Sequence, residues 1–217
     1  LEGKPPRRLG GQARKAGRGP EKHRAMIIEL QERGPDVPAA LDALTATWAA
    51  EGVQMGSHDD ATAATRAAWR ARGVQIAEFP ETLEAAEAAH LGGDGVIMGA
   101  PNVVRGGSHN GNLSAVDLVA MGYCDALASD YHYPSPRRAA FMLADAGVVS
   151  LAAAWAMISA RPAALLGLTD RGTLSPGKRA AFVVVEAASR RVAATFSGGQ
   201  VSYMSGAVAE RFWAAKA

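Results

Sequence analysis

From Val53 onward, short apolar runs alternate with longer stretches whose apolar residues recur at helical spacing. Residues 53–56, 74–79, 96–98 and 124–128 have the length and character of buried strands. Residues 60–72, 81–91, 114–121 and 136–146 read as the intervening helices. Strand and helix in alternation predict βαβ units and a parallel sheet. The strand starts lie about 20 to 30 residues apart, the pitch of a (β/α)8 barrel or a doubly wound sheet.

The rhythm is bounded on both sides. Residues 1–21 are Gly, Pro, Lys and Arg with little to bury, and read as a flexible basic arm. Two helices are predicted next, over 21–33, stopped by Gly34-Pro35, and over 38–51, with Leu41, Leu44 and Trp48 at helical spacing. After Ala146, Ala-rich helices over 149–159 and 163–166 give way to a turn cluster at 172–178. Strands follow over 181–186, 192–196 and 201–204, the last two joined by a hairpin turn at Ser197-Gly198-Gly199. The expected organisation is an arm and short helix over 1–34, an α/β region over 35–165 and a small β-layer over 166–217.

Composition narrows the class. The 217 residues are 48% hydrophobic with a formal net charge of +2, too small by itself to imply a nucleic-acid partner. Basic charge is concentrated in residues 1–24, where eight Lys or Arg face Glu2 and Glu21. A solvated tail is the simpler reading of that arm, and a polyanion or partner contact the alternative. Cys124 is the one cysteine, so no internal disulfide can form and a reducing compartment is expected. No apolar run approaches the ~18 residues of a membrane span and no signal-peptide pattern opens the chain, so a cytoplasmic protein is expected. A start at Leu1 rather than Met suggests part of a longer product.

Chemistry-bearing residues gather after the predicted strands, where both candidate architectures place their sites. Ser57-His58-Asp59-Asp60 follows the first, Glu78 and Thr82 the second, and Ser129-Asp130-Tyr131-His132 the fourth. Imidazole and carboxylate together suit Zn, Mn or Fe, and carboxylates alone suit Mg. His58 is expected to carry chemistry. Asp59 and Asp60 face substrate, or one of them caps the next helix. Asp130 can bind a metal and take a proton from water, or act as a cap. Glu78 is either a supporting carboxylate or a strand end. Tyr131 and His132 are read as packing residues, and His23 and His90 as exposed helix residues without a role.

Residues 99–112, after the third strand, read as a long loop. Gly106 and Gly107 let backbone N–H groups approach a ligand. Arg105 offers a forked cation to phosphate, Ser108 and Asn112 hydrogen bonds, and His109 a ligand or proton carrier. The alternative is an ordinary surface turn. No CxxC, Walker A or GxSxG motif is present.

Four segments, Ser57-His-Asp-Asp60, Glu78-Phe-Pro80, the run from Met98 to Asn112 and Ser129-Asp-Tyr-His-Tyr-Pro134, resemble the metal-dependent diphosphatases of the carbon–phosphorus lyase pathway, within the amidohydrolase superfamily. Residues 172–186 resemble the GTLxxGKxAD segment of many amidohydrolases, with Ala181 where the family has Asp. The resemblance implies an α/β fold: the C-terminal half of a distorted (β/α)8 barrel beside a small β-sandwich layer. It implies cleavage of a ribose 5-triphosphate, a phosphorylated sugar, to the 5-monophosphate and diphosphate. In that scheme His58 and Asp130 hold a divalent metal (Zn, Mn, Fe or Mg), and Asp130 serves the attacking water. Arg105, Gly106, Gly107, Ser108 and His109 handle the phosphates.

The His-x-His pair that amidohydrolases carry on the first barrel strand is absent from the sequence. The chain therefore resembles the C-terminal portion of such an enzyme, competent when joined by an N-terminal half or as an oligomer, and prone to aggregate alone. The rival readings are an amidohydrolase acting on a C–N bond, which Arg105 disfavours, and a remnant that binds a partner or polyanion through its basic arm.

Overall fold

A computed structural model describes residues 9–106 and 113–215. The chain divides into two compact units, Leu1–Val53 and Gln54–Ala217.

The first unit is helical: α1 (Leu9–Lys15), α2 (Pro20–Glu32), a 3-10 turn (Gly34–Asp36) and α3 (Val37–Ala50). The expected flexible arm is thus helical from Leu9, with Leu9 and Ala13 buried. Gly17, at φ +63°, ends α1, and Pro20 opens α2 at a position where no N–H is needed. His23, expected on the surface, is 7% exposed, and its Nδ1 has no hydrogen-bond partner among the described residues.

The second unit begins with four parallel strands: β1 (Gly56–His58), β2 (Ile76–Glu78), β3 (Gly95–Gly99) and β4 (Ala126–Ala128). They pair in chain order, β1-β2-β3-β4, as consecutive βαβ crossovers dictate. Helices α4 (Ala63–Ala71), α5 (Leu83–Leu91), α6 (Ala100–Arg105), α7 (Ala115–Met121), α8 (Ser135–Asp145), α9 (Leu151–Ala156) and α10 (Ala160–Leu165) complete this part. The main core joins Met98, Val103, Leu118, Leu127, Leu143 and Met157 from β3, β4 and the helices around them. At Gly95 a side chain would lie 2.3 Å from Leu165, so α10 approaches β3 over a residue without one.

Three differences from the sequence reading matter. Strand β1 starts three residues later than expected, so Ser57 and His58 belong to the strand itself. The stretch after β3 opens as helix α6, with Pro101 in its first turn and Gly106 closing it at φ +76°. Residues 107–112 lie outside the described residues, and with them Gly107, Ser108, His109 and Asn112. A terminal helix that the sequence reading did not include, α11 (Gly206–Ala214), follows the β-layer.

That layer is an antiparallel sheet of β5 (Phe182–Val185), β6 (Val192–Ser197) and β7 (Gln200–Met204), in that order. Phe182 and Phe196 are register partners with rings stacked at 4.5 Å. Arg190, between β5 and β6, reaches α8, where its guanidinium grips Asp145 and lies 4.8 Å from the Phe141 ring.

Candidate active site at the strand ends

The C-terminal ends of β1 to β4 lie along one side of the sheet. His58 and Glu78, the last residues of β1 and β2, are register partners, as are Gly99 and Ala128 at the ends of β3 and β4. Beyond them the backbone is unusual. Asp59 (φ 61°) and Phe79 (φ 54°) directly follow their strands, and Asp130 (φ 49°) follows β4 by one residue. Left-handed backbone at a non-glycine residue costs about 1–3 kcal/mol and persists where its surroundings over-determine it. Here the ladder continues past the strands: Asp59 N–H donates to Glu78 O at 3.1 Å, Phe79 N–H to Ile97 O at 2.8 Å, and Glu81 N–H to Asp60 O at 2.9 Å.

His58 stands at this edge with more than half its side chain exposed. Its Nδ1 is 3.0 Å from Asp59 Oδ1, and its Nε2 is 4.0 Å from Glu78 Oε2. The Phe79 ring meets it edge-on at 5.2 Å. Ligating histidines are commonly held by a carboxylate on the ring nitrogen that faces away from the metal. Asp59 has that position. The gap to Glu78 is too long for a hydrogen bond, and slightly wider than the roughly 3.4 Å between two ligands of one tetrahedral ion, so a small side-chain movement would be needed for both to bind it. These donors fit a divalent cation as part of a shell. Among the described residues no group of three or more His, Cys, Asp or Glu is placed to hold a metal. Asp130 is exposed after β4, at the opposite edge of the sheet from His58, roughly 14 Å away along a flat sheet of that width.

Asp60 is placed quite differently from Asp59. It is 3% exposed, and its carboxylate accepts from Ser57 Oγ at 2.5 Å and from Arg66 at 2.9 Å. It therefore faces the interior, away from any substrate. Neither aspartate caps α4; Thr62 does, accepting from Thr65 N–H, and α8 likewise is not capped by Asp130. Arg66 is the residue that sequence reasoning missed. On α4, at 0% exposure, it binds Ser57, Asp60 and the carbonyls of Val74 and Ile76, and its Nε lies 3.0 Å from Asp94. An arginine on a short amphipathic helix ordinarily reads as a surface residue.

The third and fourth strand ends also meet. The Arg105 guanidinium, at the end of α6, lies 5.7 Å from the centre of the Tyr131 ring, beside Asp130. His132 Nδ1 is 2.6 Å from Ser135 Oγ, and Ser135 is fully buried. His90 is exposed, as expected, and stacks on Tyr123 at 4.7 Å.

No protein-family model matches the chain. It is 42% identical over 145 residues to the alpha-D-ribose 1-methylphosphonate 5-triphosphate diphosphatase of Escherichia coli (strain K12). That match covers 66% of this chain and 38% of the relative, so the chain spans about two fifths of the relative's length. Among solved structures, an uncharacterized protein (TM-score 0.61, 14% identity) and an amidohydrolase (TM-score 0.58, 17% identity) share its fold. Each is matched over 76% of this chain, and over 49% and 48% of its own length respectively. The chain is thus a relative of the Escherichia coli diphosphatase over part of that enzyme's length, with an α/β fold shared with amidohydrolases.

Proposed function

We propose that the chain forms part of a metal-dependent diphosphatase of phosphonate breakdown in the cytoplasm. The reaction is hydrolysis of alpha-D-ribose 1-methylphosphonate 5-triphosphate to the 5-phosphate and diphosphate. The observation that carries this reading is the 42% identity to the Escherichia coli diphosphatase. The four-stranded sheet is read as half of a (β/α)8 barrel, supported by its parallel consecutive order and by neighbours matched over about half their length. The β5-β6-β7 sheet is read as the small β-layer beside such a barrel. The remaining strands come from further polypeptide or from a partner chain.

In this scheme His58, with Glu78 beside it, would supply ligands for Zn, Mn, Fe or Mg, Asp59 would hold the His58 ring, and Asp130, from the opposite edge of the sheet, would serve the attacking water. The divalent ion, when bound, supplies positive charge to the phosphoryl oxygens and makes water more acidic. Asp130 accepts the proton of the attacking water. The water oxygen bonds to phosphorus, the bridging P–O bond breaks, and diphosphate leaves with its electron pair. Arg105 and the glycine-rich stretch that follows it, with Ser108, His109 and Asn112, bind the departing charge.

The test is diphosphate release from the ribose triphosphate, followed by phosphorus NMR with the chain alone and with the N-terminal portion of the Escherichia coli relative. Release on complementation, with a KM raised about tenfold or more in Arg105→Ala, is expected. Loss of orthophosphate instead of diphosphate, or a KM unmoved by Arg105→Ala, overturns the reading.

A further inference from the structure

We infer that His132 is a phosphate-binding residue, presenting its Nε2–H beside Arg105 to a phosphoryl oxygen of a polyphosphate ligand. This rests on the proposed site and extends it to a residue that the sequence reading treated as packing.

The backbone around His132 is pinned from both sides. Its N–H donates to Ser129 O at 3.0 Å, and its carbonyl accepts from Ser135 N–H at 2.9 Å. Asp130, in left-handed backbone at φ 49°, turns the chain so that this loop stands at the strand ends. The side chain is anchored as well, since Nδ1 lies 2.6 Å from Ser135 Oγ. Ser135 has no exposure to water, so its hydroxyl proton must be taken by protein. Among the described residues, the partner for that hydroxyl is His132 Nδ1. With the hydroxyl donating, the proton of the neutral imidazole sits on Nε2.

His132 is an exposed residue, which a packing residue has no reason to be. Nor does it cap α8, whose preceding residue, Pro134, makes no side-chain cap either. An oriented N–H donor held by a buried hydroxyl, on the solvent side of a strand-end loop, is suited to an anionic oxygen. The neighbouring residue, Tyr131, carries Arg105 over its ring at 5.7 Å. A cation from the β3 end and an N–H donor from the β4 end therefore share one rim. Phosphoryl oxygens have the charge and the several lone pairs to use both.

The experiment is calorimetric titration of the full chain with inorganic tripolyphosphate at low salt. It compares wild type with His132→Phe, His132→Ala and Arg105→Ala, with His90→Gln as control. Thermal unfolding identifies any variant that does not fold; the two His132 changes guard against either one failing. Both His132 variants and Arg105→Ala are expected to bind about tenfold more weakly, and the control as wild type. Nitrogen NMR of the His132 ring at pH 8 is expected to show the Nε2–H tautomer, and the other tautomer overturns the inference. Unchanged affinity in the His132 variants with weakened Arg105→Ala defeats the inference and leaves the proposed function standing. Unchanged affinity in all variants, or no binding by wild type, defeats the inference, while the proposed function is decided separately by the complementation assay.

Discussion

Arg66 and Asp60 form an ion pair of 2.9 Å in which neither side chain meets solvent, at 0% and 2% exposure. Desolvating two charges is expensive, and such a pair is kept only with further hydrogen bonds around it. The guanidinium has them, to Ser57 on β1 and to the carbonyls of Val74 and Ile76 leading into and within β2. Asp94, just before β3, is also gripped by Arg70 at 2.6 Å. One buried charge cluster therefore fastens the first three strands to each other. Asp60→Ala leaves the arginine buried without its partner. It is expected to destabilise the chain by about 3–5 kcal/mol, measured as a fall in the urea midpoint.

Asp59 tests the metal reading without touching a proposed ligand. Asp59→Asn keeps a residue tolerant of φ 61° and an oxygen near His58 Nδ1, but removes the charge. Affinity for Mn or Zn is expected to fall about 10–100-fold, read by calorimetry, with the thermal midpoint nearly unchanged. Equal affinity in variant and wild type would show that His58 is not held by Asp59 while it ligates.

Asp145 gives a pH signature. Its hydrogen bonds from Arg190 hold the carboxyl below the ordinary value of 3.8, against a smaller opposing effect of desolvation. A depressed folded-state pKa contributes stability that is fully present above the unfolded value and is lost as pH falls through the folded one. Asp145→Asn should therefore melt lower than wild type at neutral pH. The gap should close as the pH is taken well below 3.8, and added salt should narrow it. The pair is exposed, so the effect is small. A gap that widened in acid would rule out this attribution.

Cys124 is sealed in the core beside Leu118 and Leu127, and burial pushes its thiol up to about 12. Thiolate is the reactive form, so alkylation at pH 8 is expected to be very slow in the native chain and rapid in denaturant. Fast labelling of the native chain would mean that the core around α7 and β4 opens readily.

Much of the fold was legible because it depends on hydrophobic rhythm. The parallel strands, the helices between them and the β5-β6-β7 layer follow from apolar runs and turn residues, with ends shifted by up to three residues. The gathering of His58, Glu78, Arg105 and Asp130 at strand ends was legible for the same reason, since each follows or closes such a run. What escaped depends on exceptions to average behaviour. Gly10 and Gly11 argue against α1, yet it is helical. Gly, Pro and Asn in residues 99–106 hide α6, although Pro101 suits a first turn. Asp60 and Asp59 are adjacent and chemically identical, and only the tertiary position of Arg66 separates the buried one from the exposed one. Ser135 says nothing in sequence about His132, since their bond needs the turn at Asp130.

The consecutive order of the parallel sheet leaves β1 and β4 as its two rims, with all strands pointing the same way. Such rims are compatible in direction: once Leu127 N–H leaves Met157 O, to which it donates at 2.9 Å, β4 of one copy can add β1 of another in parallel, and the junction regenerates the same two rims. Joined by a two-fold rotation, two copies form a closed ring of eight strands with all their C-terminal ends on one face. Joined by translation, the same bond repeats without limit and builds a fibre. Sheet curvature decides between a finite assembly and an endless one, so a change that flattens the sheet would move this chain from one fate to the other.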